Sequence, residues 1–404
     1  MRKQHAWIYG LTFAVLALLL FGGAKIYFNW KDATRLTADD VLQNTLAKRT
    51  LEIPDIKPAT PVPLSETELS TKKTINILLL GLDSRKTEEA EQSHCDAIHM
   101  FSLNLENWTV KITSVPRGTF SPLPPGRYYL PTDYYLGNAC GLAGHDYTIK
   151  QIERLIGIKA DYVVKVGFSE VYGILRALKM PTAETLQWLR NRQTFAIGDP
   201  QRSHNQAVYM KDLAIKEIDS LSSTAMLPIA QIAHSFTDST LDFSSFYALL
   251  RGYAESGLAN HPERVTLNMI PAHEITDYHF DFENPASMQK KYPLPPILIT
   301  EHSLPPEEQL STVQKDIIKY LNLRLAGPDS LQDISDKKLW LQIEDEKTRE
   351  DLHYQVIEKL AAATESYDAK VALVSDYIFE KQILGPDGYL GKGKDLLRQI
   401  IEKK

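Results

Sequence analysis

Cysteine is scarce in this 404-residue chain, with Cys95 and Cys140 its only two. Two thiols rule out a disulfide framework as the main source of stability. In an exported domain they would form one bridge, and otherwise they are two separate buried thiols; the residues favour neither reading. Excess basic charge is lacking too. Lys and Arg number 45 against 51 Asp and Glu, a net charge of −6. That balance excludes domain-wide nucleic-acid binding, which needs a positive field to displace counterions, so any anion site must be local. No Gly-Lys-Ser/Thr follows a glycine turn, so there is no Walker loop, and the absence of a Gly-x-Ser-x-Gly elbow argues against a serine hydrolase. His94, His99, His145 and His204, with Cys95 nearby, match no zinc spacing, and His99 on a strand reads as a packed residue. Internal repeats and long low-complexity tracts are also missing. What remains is ordinary for a globular protein, 43% hydrophobic and 24% charged residues, enough for a sizeable core.

One segment lacks charge altogether. Ala6 to Ala24 is nineteen residues without a charged side chain, roughly 28 Å as a helix and close to the thickness of a hydrocarbon core. Arg2 and Lys3 before it favour a cytoplasmic N-terminus and an extracytoplasmic remainder. A cleaved signal peptide ending at Gly22-Gly23-Ala24 competes, but its apolar region would be unusually long. The expected layout is a tail over 1–5 and a single-pass membrane anchor over 6–27. A stalk follows over 28–73, in which Pro54, Pro58, Pro61 and Pro63 prevent regular packing.

A folded domain is expected over 74–275, a linker over 276–310 and a small α/β appendage over 311–404. Ile75 to Leu80, ended by Gly81, has the pattern of a buried strand. Ala97 to Leu103 and Thr109 to Val115 flank Asn104-Leu-Glu-Asn107 as a hairpin would. Tyr147 to Ile156, Phe168 to Leu178 and Gln206 to Leu221 follow helical spacing, while Tyr162 to Val166 and Val265 to Ile270 are strand-like. Thr224 to Arg264 reads as mainly helical. Further on, Leu339 to Ile343 and Lys370 to Val374 read as strands, with helices at Glu350 to Ala363 and Asp395 to Glu402. The fold class is α/β: a layered mixed sheet flanked by helices, preceded by one transmembrane helix.

The residues that carry chemistry fall at strand ends, where open α/β sheets bind ligands. Gly81-Leu82-Asp83-Ser84-Arg85 follows the first strand, Asp96 begins the second, and Val115-Pro116-Arg117 ends the third. Asp83 and Asp96 supply hard oxygen ligands suited to Mg²⁺. Each piece also has an ordinary reading, as a strand-helix turn or a solvated ion pair. Arg190 and Arg192 alternate in a segment expected to be extended, so that both forks point the same way. Gly198-Asp199-Pro200-Gln201-Arg202 then opens a helix, with Arg202 and Gln206 four apart on one face. A charge-decorated surface loop remains the alternative for that stretch.

Together and in this order, these segments resemble the LytR-CpsA-Psr family of cell-envelope glycopolymer phosphotransferases. The pieces are Asn76 through Arg85, Cys95-Asp96-Ala-Ile, Ile112 through Arg117, Asn138-Ala139, Ile152 to Ile158, Asp161 to Val164, Arg190-x-Arg192 and Gly198 through Gln206. The resemblance implies transfer of a glycopolymer from a polyprenyl-pyrophosphate carrier to peptidoglycan or another envelope acceptor. It also implies that Asp83 and Asp96 hold Mg²⁺ or Mn²⁺, that Arg85, Arg117, Arg190, Arg192 and Arg202 bind the pyrophosphate with Gln206 in support, and that Asp83, Arg117 and Arg192 carry catalysis. A lipid tail would need an apolar slot, for which Val171 to Leu178 is a candidate that core packing explains equally well. His94, Cys95, Gly118, Leu136 and Asn205 depart from the family pattern. The same residues admit a lipid-pyrophosphate-binding or scaffolding protein and a carrier hydrolase. Because Cys95 and Cys140 fall in or beside matched motifs, a disulfide between them beside the pocket is the reading that goes with the resemblance.

Overall fold

The computed structural model describes residues 72–83, 93–124, 126, 130–192, 194–291, 298–299, 302–303 and 306–403. The expected anchor, nearly all of the stalk, and Arg85 lie outside them. Among the described residues no helix is long and apolar enough to cross a membrane. Two compact units are present, one with the described residues up to 363 and 383–385, the other with 364–382 and 386–403.

The larger unit is built on six strands: β1 (Thr74–Leu82), β2 (Cys95–Asn104), β3 (Thr109–Ser114), β4 (Tyr162–Gly167), β5 (Asp238–Ser239) and β6 (Val265–Met269). Their order across the sheet is β5-β4-β1-β2-β3-β6. β1 runs parallel to β4 and β3 parallel to β6, while the other neighbours are antiparallel. The β2–β3 hairpin forms where expected because the Asn104 side chain accepts the Glu106 and Asn107 N–H groups, at 2.9 and 3.1 Å, closing the turn.

Alternation along the strands sends side chains to two faces. On one face Leu78, Leu80, Ile98 and Met100 are fully buried. They pack with Leu136 and Cys140 of α1 (Leu136–Ala143) and Ile152 of α2 (His145–Ile156). Burying each such side chain contributes about 1.5–3 kcal/mol. Further along the chain come α3 (Phe168–Ala177), α4 (Ala183–Arg190), α5 (Asp199–Leu221), α6 (Leu227–Ser235) and α7 (Phe243–Glu255). On the opposite face Val110 and Ile112 meet Ala207 and Ile218 of α5 and Tyr253 of α7. The result is the expected sheet between helical layers. The expected linker contains α8 (Pro285–Lys291) and the short strand pair β7 (Leu298–Ile299) and β8 (His302–Ser303). Phe280 and Met288 there are buried with Trp188 and Tyr209.

The C-terminal part corrects the α/β expectation. It consists of α9 (Pro306–Ala326), α10 (Gln332–Asp336), a 3₁₀ turn at Leu339–Gln342 and α11 (Glu346–Ala363), then α12 (Tyr367–Leu384) and α13 (Asp387–Glu402) in the smaller unit. Leu339 to Gln342 are all buried, and a short continuous apolar run does not distinguish strand from helix. Lys370 to Val374 lies inside α12, where buried Val371, Val374 and Ile378 recur at helical spacing despite their β-branched side chains. Within the smaller unit, the missing Cβ of Gly393 would fall 2.9 Å from Tyr377, so α12 and α13 meet at close range. In the larger unit the 3₁₀ turn covers α3. Gln342 donates to Ser169 Oγ at 2.8 Å, Arg176 donates to the Leu341 carbonyl, and a Cβ on Gly173 would meet Leu341 and Phe236 at 2.9 Å. That stretch of α3 is therefore core.

Candidate functional site

A β-bulge builds the site. Gly81 pairs with Ala97 but Leu82 pairs with Cys95, which leaves Asp96 as an extra residue in β2. Bulges re-aim side chains at the ends of strands. This one swings Cys95 to the α1 face, where it is bonded to Cys140 with the two Cα atoms 5.8 Å apart. Gly81 is required at the bulge, because a Cβ there would sit 2.8 Å from that of Ala97. Gly137 is equally confined, since its Cβ would meet the Cys95 carbonyl at 2.8 Å and the Arg117 Cβ at 2.9 Å. Its N–H donates to the Arg117 carbonyl at 2.8 Å. The first turn of α1 thus fixes the backbone of both Asp96 and Arg117.

Arg117 donates to the Asp96 carboxylate. From α5, Arg202 Nη2 donates to the Asp96 carbonyl at 3.0 Å and lies 2.6 Å from Asp199 Oδ1, while Nη1 is 4.0 Å from the Asp96 carboxylate. The Gly118 N–H donates to Asp199 Oδ2 at 3.3 Å. Gly198, at φ +57°, lets the chain turn into α5, and Pro200 and Asp199 suit a helix start. Burial pulls the Arg202 pKa down, Asp199 and Asp96 oppose that, and nearby Arg117 and Arg192 add to it. Two arginines and two aspartates here cancel to no net charge.

Arg190 and Arg192 do not alternate on an extended segment, which corrects the sequence reading. Arg190 is the last residue of α4, where buried Thr185 and Trp188, three apart, lie on one helical face. Its guanidinium stacks 5.0 Å from the Phe168 ring centre. Arg192 is exposed, and among the described residues it makes no ion pair. Gln206 is buried with both ends of its amide engaged. Its Oε1 is 3.2 Å from His99 Nε2 and its Nε2 donates to the Leu189 carbonyl at 2.9 Å. His99 Nδ1 is 3.0 Å from Ser114 Oγ. Burial drives the His99 pKa down to about 4, so the ring is neutral, with Nε2–H donating to Gln206 and Nδ1 accepting from Ser114. His99 is a packed residue, as its strand position implies.

Asp83 extends the β1–β2 ladder, its N–H donating to the His94 carbonyl at 2.9 Å. Asp83 and Asp96 thus share one end of the sheet. No cluster of three or more metal-ligating side chains occurs among the described residues. Two carboxylates fit Mg²⁺ only with a ligand's phosphate oxygens completing its shell. At two departures from the family pattern, burial accounts for the residue. Leu136 belongs to the apolar cluster under β1 and β2, and Asn205 is fully buried with its Oδ1 accepting from Gln201 at 2.8 Å. A cation at either place would be buried. The sequence motifs assign no role to Asp199, although its place between Gly198 and Pro200 at a helix start was the available signal.

Fold and site together define an α/β protein with an arginine–aspartate cluster at a bulged sheet end. At the level of family, the resemblance carried by the motifs is borne out: residues 41–179 match the model of the LytR_cpsA_psr family. The relative TagT of Bacillus subtilis is 30% identical over 26% of this chain and 32% of its own length. TagU of Bacillus cereus is 22% identical over 51% of this chain and 62% of its own. Both are named polyisoprenyl-teichoic acid–peptidoglycan teichoic acid transferases. This chain therefore spans about a third to three-fifths of these relatives. The crystal structure of Bacillus subtilis TagV is 19% identical, covering 55% of this chain and 96% of that one at a TM-score of 0.38, too loose a likeness to carry an argument.

Proposed function

We propose that this protein is a membrane-anchored, extracytoplasmic phosphotransferase that moves a glycopolymer from a polyprenyl-pyrophosphate carrier to peptidoglycan or a similar envelope acceptor. The observation that carries the reading is the joining of Asp96, Arg117, Arg202 and Asp199 at the bulged sheet end, with exposed Arg192 within reach of the same field. Phosphoryl transfer depends mainly on positioning and on neutralising charge as the bridging bond breaks. In this role Arg117 and Arg202 fix the site's shape. Arg192, with Arg190 and Arg85, supplies the positive charge that the inner pairs have already spent on each other. Asp83 and Asp96 would hold Mg²⁺ or Mn²⁺, which when bound would offset pyrophosphate charge, and Gln206 supports α5 from behind. Asp83 and Arg192 are the side chains assigned to act on the reacting groups, together with Arg117.

The names of the relatives support a glycopolymer as substrate and an envelope glycan as acceptor. The self-neutralised inner cluster favours one second reading, a protein that binds the lipid pyrophosphate without transferring it. The test is incubation of the full-length protein in detergent with a polyprenyl-pyrophosphoryl oligosaccharide, Mg²⁺ and peptidoglycan fragments. Acceptor-linked sugar phosphate, lost in Asp83→Ala, is the expected product. Mg²⁺-dependent binding with no turnover establishes the second reading. Release of sugar phosphate to water without an acceptor makes the protein a hydrolase instead.

A further inference from the structure

A cleft of about 540 Å³ opens beside the charged cluster, sharing Gly118 and Asp199 with it and continuing from Pro116 past Phe120 to His273. Its size suits one or two sugar rings. The segment after Arg117 is held in place by the chain at Tyr134 to Leu136. Phe120 and Tyr135 form an antiparallel bridge, Ser121 N–H donates to the Tyr134 carbonyl at 2.7 Å, and Leu136 N–H donates to the Thr119 carbonyl at 2.8 Å. This clasp stacks the Phe120 and Tyr134 rings, with centroids 5.7 Å apart and planes 15° from parallel. Phe120 nevertheless remains 69% exposed. A large aromatic ring held rigid and left in water is a ready platform, because its negative face attracts the slightly positive C–H face of a pyranose.

The polar chemistry of the cleft narrows the occupant. Among its lining residues the group with fixed charge is the Asp199 carboxylate. A carboxylate repels a second phosphate but accepts a hydrogen bond from a sugar hydroxyl. Asp199 is also pinned, by Arg202 at 2.6 Å and by the Gly118 N–H at 3.3 Å. A hydroxyl bound to it would lie next to the arginines assigned to the pyrophosphate.

The geometry points to this cleft as the subsite for the acceptor glycan, an uncharged amino-sugar unit stacked on Phe120 with one hydroxyl oriented by Asp199. Calling that sugar the acceptor rests on the transferase reading above; the sugar site itself does not. Asp199 is here a positioning residue.

Binding of N,N′-diacetylchitobiose to the full-length protein, followed by saturation-transfer NMR, tests the assignment beside a separate titration with geranyl pyrophosphate and Mg²⁺. We expect millimolar chitobiose binding, weakened about tenfold in Phe120→Ala and in Asp199→Asn, with saturation strongest on the apolar ring protons. Phe120 is exposed enough that its replacement spares the fold, which guards against misreading a damaged Asp199 variant. Equal chitobiose binding in wild type and Phe120→Ala, or none in a wild type that binds geranyl pyrophosphate, overturns the subsite. Loss of binding to anionic lipid vesicles in Phe120→Ala, with chitobiose binding intact, also overturns it and makes the ring a membrane contact. Chitobiose binding that depends on Phe120, without any geranyl pyrophosphate binding, supports the sugar subsite while removing the transferase reading.

Discussion

The two halves of the charged site solve opposite problems. The inner half, Asp96, Arg117, Arg202 and Asp199, is tied into the fold. Arg202 is only 5% exposed and contacts both aspartates, and the Cys95–Cys140 bond and the first turn of α1 fix the chain around Asp96 and Arg117. The outer half is the stretch with Arg190 and Arg192, where Arg192 is exposed and makes no ion pair among the described residues. Buried charges must be paired, so the inner half is neutral in sum, and in the proposed role it would give a pyrophosphate a fixed geometry but little net attraction. Attraction would then have to come from the outer half. Such a site would separate shape from charge, and the two properties would respond to different mutations.

The largest contrast follows from the two arginines. Arg202→Ala leaves Asp96 and Asp199 short of a buried partner and is expected to cost about 3 kcal/mol of stability, and about 10³-fold in transfer. Arg192→Ala is expected to leave the urea midpoint unchanged while lowering transfer by about 10²-fold. Denaturation curves and initial rates on the same samples decide the matter. Equal losses of stability would erase the distinction between halves. Next in size is the bond behind the inner half. Replacing Cys95 and Cys140 together by alanine is expected to lower stability by about 2–4 kcal/mol. Its effect should couple to that of Arg202→Ala and add simply to that of Arg192→Ala. Simple addition with both would show that the bond does not serve the site.

How much of this was legible depends on the range of the interaction involved. The strands and the hairpin at Asn104 were readable because alternation and turn chemistry are local. Asp96, Arg117 and Arg202 were readable as candidates from their places at strand and helix ends. The bulge was not, since it is a property of register between two strands, and without it neither the aim of Asp96 nor that of Cys95 is defined. The disulfide stood at even odds from the residues and needed the bulge to be explained. Arg190 ends a helix although arginine alternation reads as a strand pattern, because the buried spacing before it, Thr185 and Trp188, is helical. Lys370 to Val374 failed for the same reason, β-branched composition outweighing a helical period. Phe120 was invisible to sequence, because what marks it is exposure in a rigid clasp.

The effect spread most gradually, over a range of pH, probes the floor on which both halves stand. His99 joins β2 to β3 through Ser114 and to α5 through Gln206, and burial holds its pKa at about 4 against an ordinary 6.5. Between these values the unfolded chain takes up a proton that the folded one refuses. Stability from this group is therefore complete above about pH 6.5 and falls as the pH drops toward 4, at most by about 1.4 kcal/mol per pH unit. In His99→Gln, which cannot titrate, the urea midpoint should decline less than the wild type's over that window, even if it starts lower at pH 7.5. Folded His99 is still neutral at pH 5, so geranyl pyrophosphate binding by the folded protein should be the same there in His99→Gln and wild type. An identical pH profile of the urea midpoint in both proteins would place the acid sensitivity elsewhere and leave His99 as packing alone.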